Sequence, residues 1–227
     1  MLSPLIIAHR GASAVAPENT IAAFEAAIAA GADGIEFDVR LSRDGVPVVI
    51  HDETLRRTHG LRRRVGDMTL SELNEIAVPS VAQLFELFAA SNLILYLEMK
   101  DTQIELTEAC CRLVEEYRLK DRVVFECFAH SALDAVRSID PTLKTAALFQ
   151  PPASFILKRA QAIGASELAL HHRLTSKHIV EKARLANLKV VTWTVDDPAW
   201  INRAQAHGIH ALITNNPAAL IAARDGV

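Results

Sequence analysis

The sequence predicts a TIM (β/α)8 barrel formed by one domain over residues 1–227, with a small cap-like insertion at about 53–80 after the second/third strand hairpin. Three observations carry that prediction. Short apolar runs of strand type alternate with amphipathic stretches to the end of the chain. Eight such units in 227 residues suit a barrel slightly below the usual size. Titratable residues collect where those runs end, and the C-terminal ends of barrel strands are where such folds carry chemistry. A doubly wound open sheet is the runner-up. The first loop, His9-Arg10-Gly11-Ala12-Ser13, lacks a full dinucleotide fingerprint, which counts against it.

Leu5-Ile6-Ile7-Ala8 opens the chain as a buried-strand run ending at His9-Arg10-Gly11. Pro17-Glu18-Asn19-Thr20 reads as a helix start, with Ile21, Phe24 and Ile28 on one face at helical spacing and Gly31 as the stop. Gly34 to Arg40 is the second strand. Alternation puts Glu36 and Asp38 on one face and Ile35, Phe37 and Val39 on the other. The bland account of that pattern is an edge strand with a solvated acidic face. Asp44-Gly45 then separates this run from Val46 to Ile50. The link is too short for a parallel crossover, so the second run folds back as a hairpin. With Leu41 beside Val46, the hairpin returns His51 to the level of Glu36.

The stretch Glu53 to Pro79 is mixed and polar, with a short helix at Thr69 to Leu73. Beyond it the alternation is regular. Helices are expected at Val81 to Ala90, Ile104 to Tyr117, Ser131 to Ile139, Ser154 to Ile163, Ser176 to Ala186, Pro198 to His207 and from Pro217 onward. The strands between them are Leu93–Leu97, Val123–Phe128, Thr145–Phe149, Glu167–Leu170, Val190–Val195 and Ala211–Thr214.

Composition bounds the function. Half the residues are apolar and the net charge is −3, which gives no general reason to expect nucleic acid or an anionic membrane as partner. Arg62-Arg63-Arg64 reads as a solvated loop. The stretch Met1 to Ala8 lacks the basic start and long apolar core of a secretory signal, and no run is long enough to span a membrane. Cys110, Cys111 and Cys127 lack zinc spacing and read as free thiols, so the expected location is the cytoplasm.

The strand ends deliver His9 and Arg10, then Glu36 and Asp38, His51 through the hairpin, Glu98 and Lys100, and Trp193. Three carboxylates in one cavity need a cation, because otherwise they raise one another's pKa and lose their charge. One divalent ion with oxygen ligands, Mg2+ or Ca2+, fits best, and Mn2+ or Zn2+ stays open because two histidines are close. Arg10 and Lys100 suit an anionic substrate, and Arg10 can grip phosphate oxygens with two donors. His9 and His51 titrate near neutrality and suit proton transfer. Together these groups point to phosphoryl transfer to water or to an internal hydroxyl.

His9-Arg10-Gly11, Pro17-Glu18-Asn19-Thr20, Glu36-Phe37-Asp38-Val39, Asp44-Gly45, His51-Asp52 with Thr54-Leu55, and Leu97-Glu98-Met99-Lys100 resemble the glycerophosphodiester phosphodiesterases. Trp193-Thr194-Val195 and Ile213-Thr214 with Asn216-Pro217 extend the resemblance along nearly the whole chain. It implies a TIM-barrel hydrolase that cleaves glycerophosphodiesters to sn-glycerol 3-phosphate and an alcohol. It implies a metal on Glu36, Asp38 and Glu98, acid and base roles for His9 and His51, a cyclic phosphate on the way, and Trp193 as an apolar contact for glycerol. Two departures stand out. Asn215 replaces the usual Asp and is expected to cap or brace a loop, and the stretch between His51 and Glu98 is short, which bears on substrate range. The expected partner is a small glycerophosphodiester, with the chain a monomer or homodimer. Two other classes remain: a phosphodiesterase acting on lysophospholipid or another phosphodiester, and a barrel that binds phosphometabolites without cleaving them.

Overall fold

A computed structural model describes residues 3–226; Met1 and Leu2, where the reading of the leader begins, lie outside the described residues. Nine strands appear among those residues. Eight of them close into a parallel barrel: β1 (Leu5–His9), β2 (Gly34–Leu41), β4 (Ile94–Met99), β5 (Val123–Cys127), β6 (Lys144–Phe149), β7 (Glu167–His171), β8 (Lys189–Trp193) and β9 (Ala211–Thr214). The β1–β9 and β1–β2 ladders complete the ring. β2 therefore lies between β1 and β4, and the edge-strand account of Glu36 and Asp38 does not hold.

The ninth strand, β3 (Pro47–Val49), pairs antiparallel with the far end of β2, as the Asp-Gly turn requires. Its register differs from expectation by one residue. Leu41 pairs with Pro47, and Ser42 N–H donates to the Val46 carbonyl. The Ile50 N–H closes the ladder on the Asp38 carbonyl at 2.9 Å, and the chain then bends. His51 thus approaches the acids from a loop, and the Arg40 guanidinium holds its carbonyl at 2.8 Å.

Helices cover the outside. α1 (Ile21–Ala29) starts at Thr20, whose hydroxyl caps Ala23 N–H. It buries Ala23, Phe24 and Ala27 and leaves Ile28 40% exposed, so the buried face is rotated from the expected one. Small residues win because the helix lies close to the first loop: a Cβ on Gly11 would sit 2.6 Å from the Ala23 carbonyl carbon. The insertion contains α2 (Arg56–His59), a 3-10 turn at Val65–Asp67 and α3 (Leu70–Asn74). The first two of these have no periodic signal. α3 and α4 (Val81–Phe88) both begin with capping boxes, Thr69/Glu72 and Ser80/Gln83. α5 (Ile104–Glu116), α6 (His130–Ile139), α7 (Ile156–Ala162), α8 (Lys177–Leu185), α9 (Trp200–His207) and α10 (Pro217–Asp225) follow; α5, α7, α8 and α9 are one to three residues shorter than the sequence suggests, and α6 is one longer.

Side-chain alternation divides the interior. Ile35, Phe37 and Val39 pack outward against the helices, where Phe24 meets Phe37 and Phe88 edge-on. Ile7, Tyr96, Val124, Ala146, Ala169 and Val191 fill the barrel itself. The insertion and β3 share a separate cluster of Val48, Ile50, Leu55, Val65, Met68, Leu73 and Val78. None of the described helices is long and apolar enough to cross a membrane.

Candidate active site

The β1–α1 loop is bent to serve the acids on β2. Arg10 and Asn19 have left-handed backbones (φ 56° and 58°), uncommon for side chains other than glycine. The bend aims Arg10 N–H at Glu36 Oε2, 2.9 Å away, while its Nε lies 3.0 Å from Asp38 Oδ2. Asn19 is buried and donates to Asp38 Oδ2 at 2.8 Å. Glu98, paired across the ladder with Asp38, completes the group. One ligand atom from each of Glu36, Asp38 and Glu98 lies within 4.8 Å of the others, and all three residues are buried.

Glu36 Oε1 and Asp38 Oδ1 are buried without a hydrogen-bond partner. Burial pushes the Glu36 carboxyl up to about 8 and that of Glu98 to about 7, with the Asp38 charge adding to both shifts. Burial would raise Asp38 too, but Arg10 and Lys100 outweigh it and hold Asp38 below the usual carboxylate range. A buried, crowded, oxygen-only set with orphaned oxygens is chemically suited to a hard divalent cation. The triad fits such an ion.

The other expected residues gather on the same cavity, about 140 Å3. His9, Arg10, His51 and Lys100 line it beside Glu36 and Glu98, and Trp193 forms part of its wall. Lys100 Nζ contacts Glu98 Oε1 at 2.6 Å and lies 3.4 Å from Asp38 Oδ1, so the simple Glu98–Lys100 pair is present. Trp193 donates to the Ala169 carbonyl and stands edge-on to Phe128, with ring centres 5.7 Å apart. A larger groove of about 680 Å3 between α5 and α6 has no comparable set: Lys120 there pairs with Asp140, and its cysteine, Cys111, is raised to about 12 by burial.

Both histidines are oriented from behind. Asn215 Nδ2 donates to Asp196 Oδ2, so its Oδ1 faces His9 and accepts from Nδ1 at 2.7 Å. His51 Nδ1 lies 2.6 Å from Asp52 Oδ1. In both rings the Nδ1 proton is thereby fixed and Nε2 is left as the acceptor. His9 Nε2 is 3.9 Å from Glu36 Oε2. Burial lowers both imidazole pKa values, and Arg10 depresses His9 further.

Three participants were not anticipated. Asn215 braces loops as expected, through Asp196 and Ser13, but is also the partner of His9. Arg57 on α2 binds Glu18 with two donors at 2.7 Å each and Asp52 at 2.6 Å, while Glu18 also accepts from Arg10 at 2.9 Å. The insertion is thus joined to both Arg10 and His51. Glu126, on β5 opposite Glu98, is a third buried carboxyl lining the cavity beside Glu36 and Glu98, and burial together with the Glu36 charge pushes its pKa well above the usual range. The signal for Glu126 was in the sequence, an acid inside the apolar run Val123–Phe128; none marked Arg57.

The sequence model of the glycerophosphoryl diester phosphodiesterase family matches residues 9–219. The chain belongs to that family. Its members are phosphodiesterases, so the chain is an enzyme of the hydrolase class, as the motifs implied. It is 33% identical to a glycerophosphodiester phosphodiesterase of Caldanaerobacter subterraneus over 97% of both chains. Among solved structures, a phosphodiesterase from Oleispira antarctica in complex with the product sn-glycerol-3-phosphate superposes with a TM-score of 0.90 at 26% identity, covering 98% of this chain and 97% of that one. A glycerophosphodiester phosphodiesterase from Thermotoga maritima gives 0.85 at 28% identity, covering 97% and 98%.

Proposed function

We propose that this family member hydrolyses glycerophosphodiesters to sn-glycerol 3-phosphate and an alcohol, using one divalent cation, Mg2+ or Ca2+, held by Glu36, Asp38 and Glu98. The observation that carries the reading is the crowded acidic triad facing two back-anchored imidazoles in one cavity. The ion, when bound, supplies positive charge for phosphate oxygens and for a developing oxyanion. Arg10 and Lys100 add fixed positive charge for the same phosphate. The glycerol chain lies against Trp193.

The chemistry proceeds by two proton exchanges. The glycerol 2-hydroxyl attacks phosphorus as one imidazole Nε2 takes its proton. The other imidazole, protonated, gives a proton to the departing alcohol oxygen, leaving a five-membered cyclic phosphate. Water then opens that ring, with the two rings exchanging roles, and both return to their starting protonation. The depressed pKa values of His9 and His51 favour a neutral acceptor at neutral pH, and an anionic phosphate beside either ring favours the protonated form. We take the whole chain as one catalytic domain with residues 53–80 as its cap, working in a reducing cytoplasm where buried Cys110, Cys111 and Cys127 stay free thiols.

The test is release of glycerol 3-phosphate from glycerophosphocholine by chelator-stripped protein resupplied with single metal ions, with His9→Ala and His51→Ala alongside. Metal-restored release that both substitutions abolish is expected. No release with any ion from folded protein sinks the assignment.

A further inference from the structure

The cavity holds one buried polar atom that neither the triad nor the histidines explain. Glu126 pairs across the β4–β5 ladder with Glu98, so both side chains face the barrel interior. The residue is 1% exposed, and its Oε1 has no hydrogen-bond partner. It lies outside the group of carboxylates whose ligand atoms converge. Its surroundings are mixed: Glu36 and Glu98 are close enough to act on it through their charge, Ala146 is its neighbour on β6, and Leu148, Ile213 and Phe128 give the cavity apolar lining. A buried carboxyl oxygen beside a cavity, with no protein partner, is costly unless something entering the cavity satisfies it.

We propose that Glu126 is a substrate-positioning residue that hydrogen-bonds a hydroxyl on the polyol half of the substrate and so orients that half inside the barrel, with the departing alcohol toward the mouth. A hydroxyl both donates and accepts, so it pairs with a carboxyl in either protonation state. The apolar lining takes the carbon skeleton, while the phosphate is drawn to the cationic side by Arg10 and Lys100. The consequence is a selectivity rule. Glu126 thereby sets selectivity for the hydroxylated half, because a site with a buried hydrogen-bonding group rejects a ligand that lacks the matching hydroxyl. This inference rests on the glycerophosphodiester reading and specifies how one half of that substrate is recognised.

The experiment is calorimetric binding of sn-glycerol 3-phosphate and of n-propyl phosphate to metal-loaded protein. The two ligands share a carbon skeleton and differ in their hydroxyls. Wild type is expected to prefer glycerol 3-phosphate by roughly tenfold. Glu126→Leu is expected to abolish that preference while changing the propyl phosphate affinity by less than about twofold, and Glu126→Gln, which still offers an amide, to keep most of it. Equal binding of the two phosphates by wild type overturns the inference without any variant. So does a Leu variant that weakens both ligands alike, or one that lowers metal affinity, since Glu126 would then serve the ion. If wild type hydrolyses no glycerophosphodiester, the functional reading itself fails; if it does and the preference is absent, only the role of Glu126 falls.

Discussion

Replacing Glu36 by Gln separates a metal-holding carboxylate from a structural one, because the two accounts give opposite signs. In metal-free protein the Glu36 carboxyl is raised from 4.5 to about 8 by burial and the Asp38 charge. The folded chain therefore keeps a proton between those values that the unfolded chain has released. Its contribution to stability is complete below 4.5 and is lost as pH rises through 8. At about 1.4 kcal/mol per unit, the loss is on the order of a few kcal/mol. Gln has no charge to bury and can still accept from Arg10 N–H, so in chelator at about pH 8 the variant is expected to be more stable than wild type. A gain of about 2–4 °C in Tm per kcal/mol fits a chain of this size. Added metal works in the opposite direction and narrows that gap. Ion at a hundred times its Kd stabilises by about 2.7 kcal/mol, so wild type should gain roughly 5–10 °C and the variant little. Thermal melts of both proteins, with chelator and with Mg2+ or Ca2+, at about pH 5 and about pH 8, read all the terms. A Glu36→Gln protein that melts lower in chelator at the higher pH, or that keeps the full metal response, refutes the assignment.

Arg57→Ala removes the guanidinium that joins Glu18 and Asp52; kcat is expected to fall about tenfold or more with KM little changed, and Arg57→Lys to recover part of it, as steady-state kinetics would show. Tyr96→Phe takes a hydrogen bond from buried Glu167, 2.9 Å away, at a cost of about 1–3 kcal/mol; a denaturant midpoint unchanged from wild type contradicts this. His210 is held down to about 4, by burial first and then by Lys189. Its contribution to stability is present above about 6.5 and lost as pH falls toward 4, so His210→Phe should flatten the acid limb of a stability-against-pH curve. A limb as steep as in wild type speaks against it.

The parts legible in the sequence are those set by local rules. Alternation within Gly34–Arg40 assigned Glu36 and Asp38 to one face, and the Asp44-Gly45 turn gave an antiparallel return carrying His51. The alternation of strands and helices gave the barrel, and the motif resemblance gave the family. The misses have physical causes. The hairpin register shifted by one because Val46 sits in the turn opposite Ser42, a choice made by turn geometry and not by apolar pattern. The face of α1 turned because Ala23 had to meet Gly11 closely, a constraint between segments rather than within the helix.

The sequence alone thus determined which residue types stand at the strand ends, because side-chain direction in a strand repeats every two residues. Only the tertiary structure decided what stands behind them. Asn215 is 206 residues from His9, and Arg57 is 39 from Glu18, yet each pair is in hydrogen-bond contact. Closing the ring of β1 against both β2 and β9 makes the first contact, and folding the insertion over the first loop makes the second. The orphaned oxygens of Glu36, Asp38 and Glu126 are likewise a property of the closed barrel, since burial is a sum over every neighbour and no local stretch contains it.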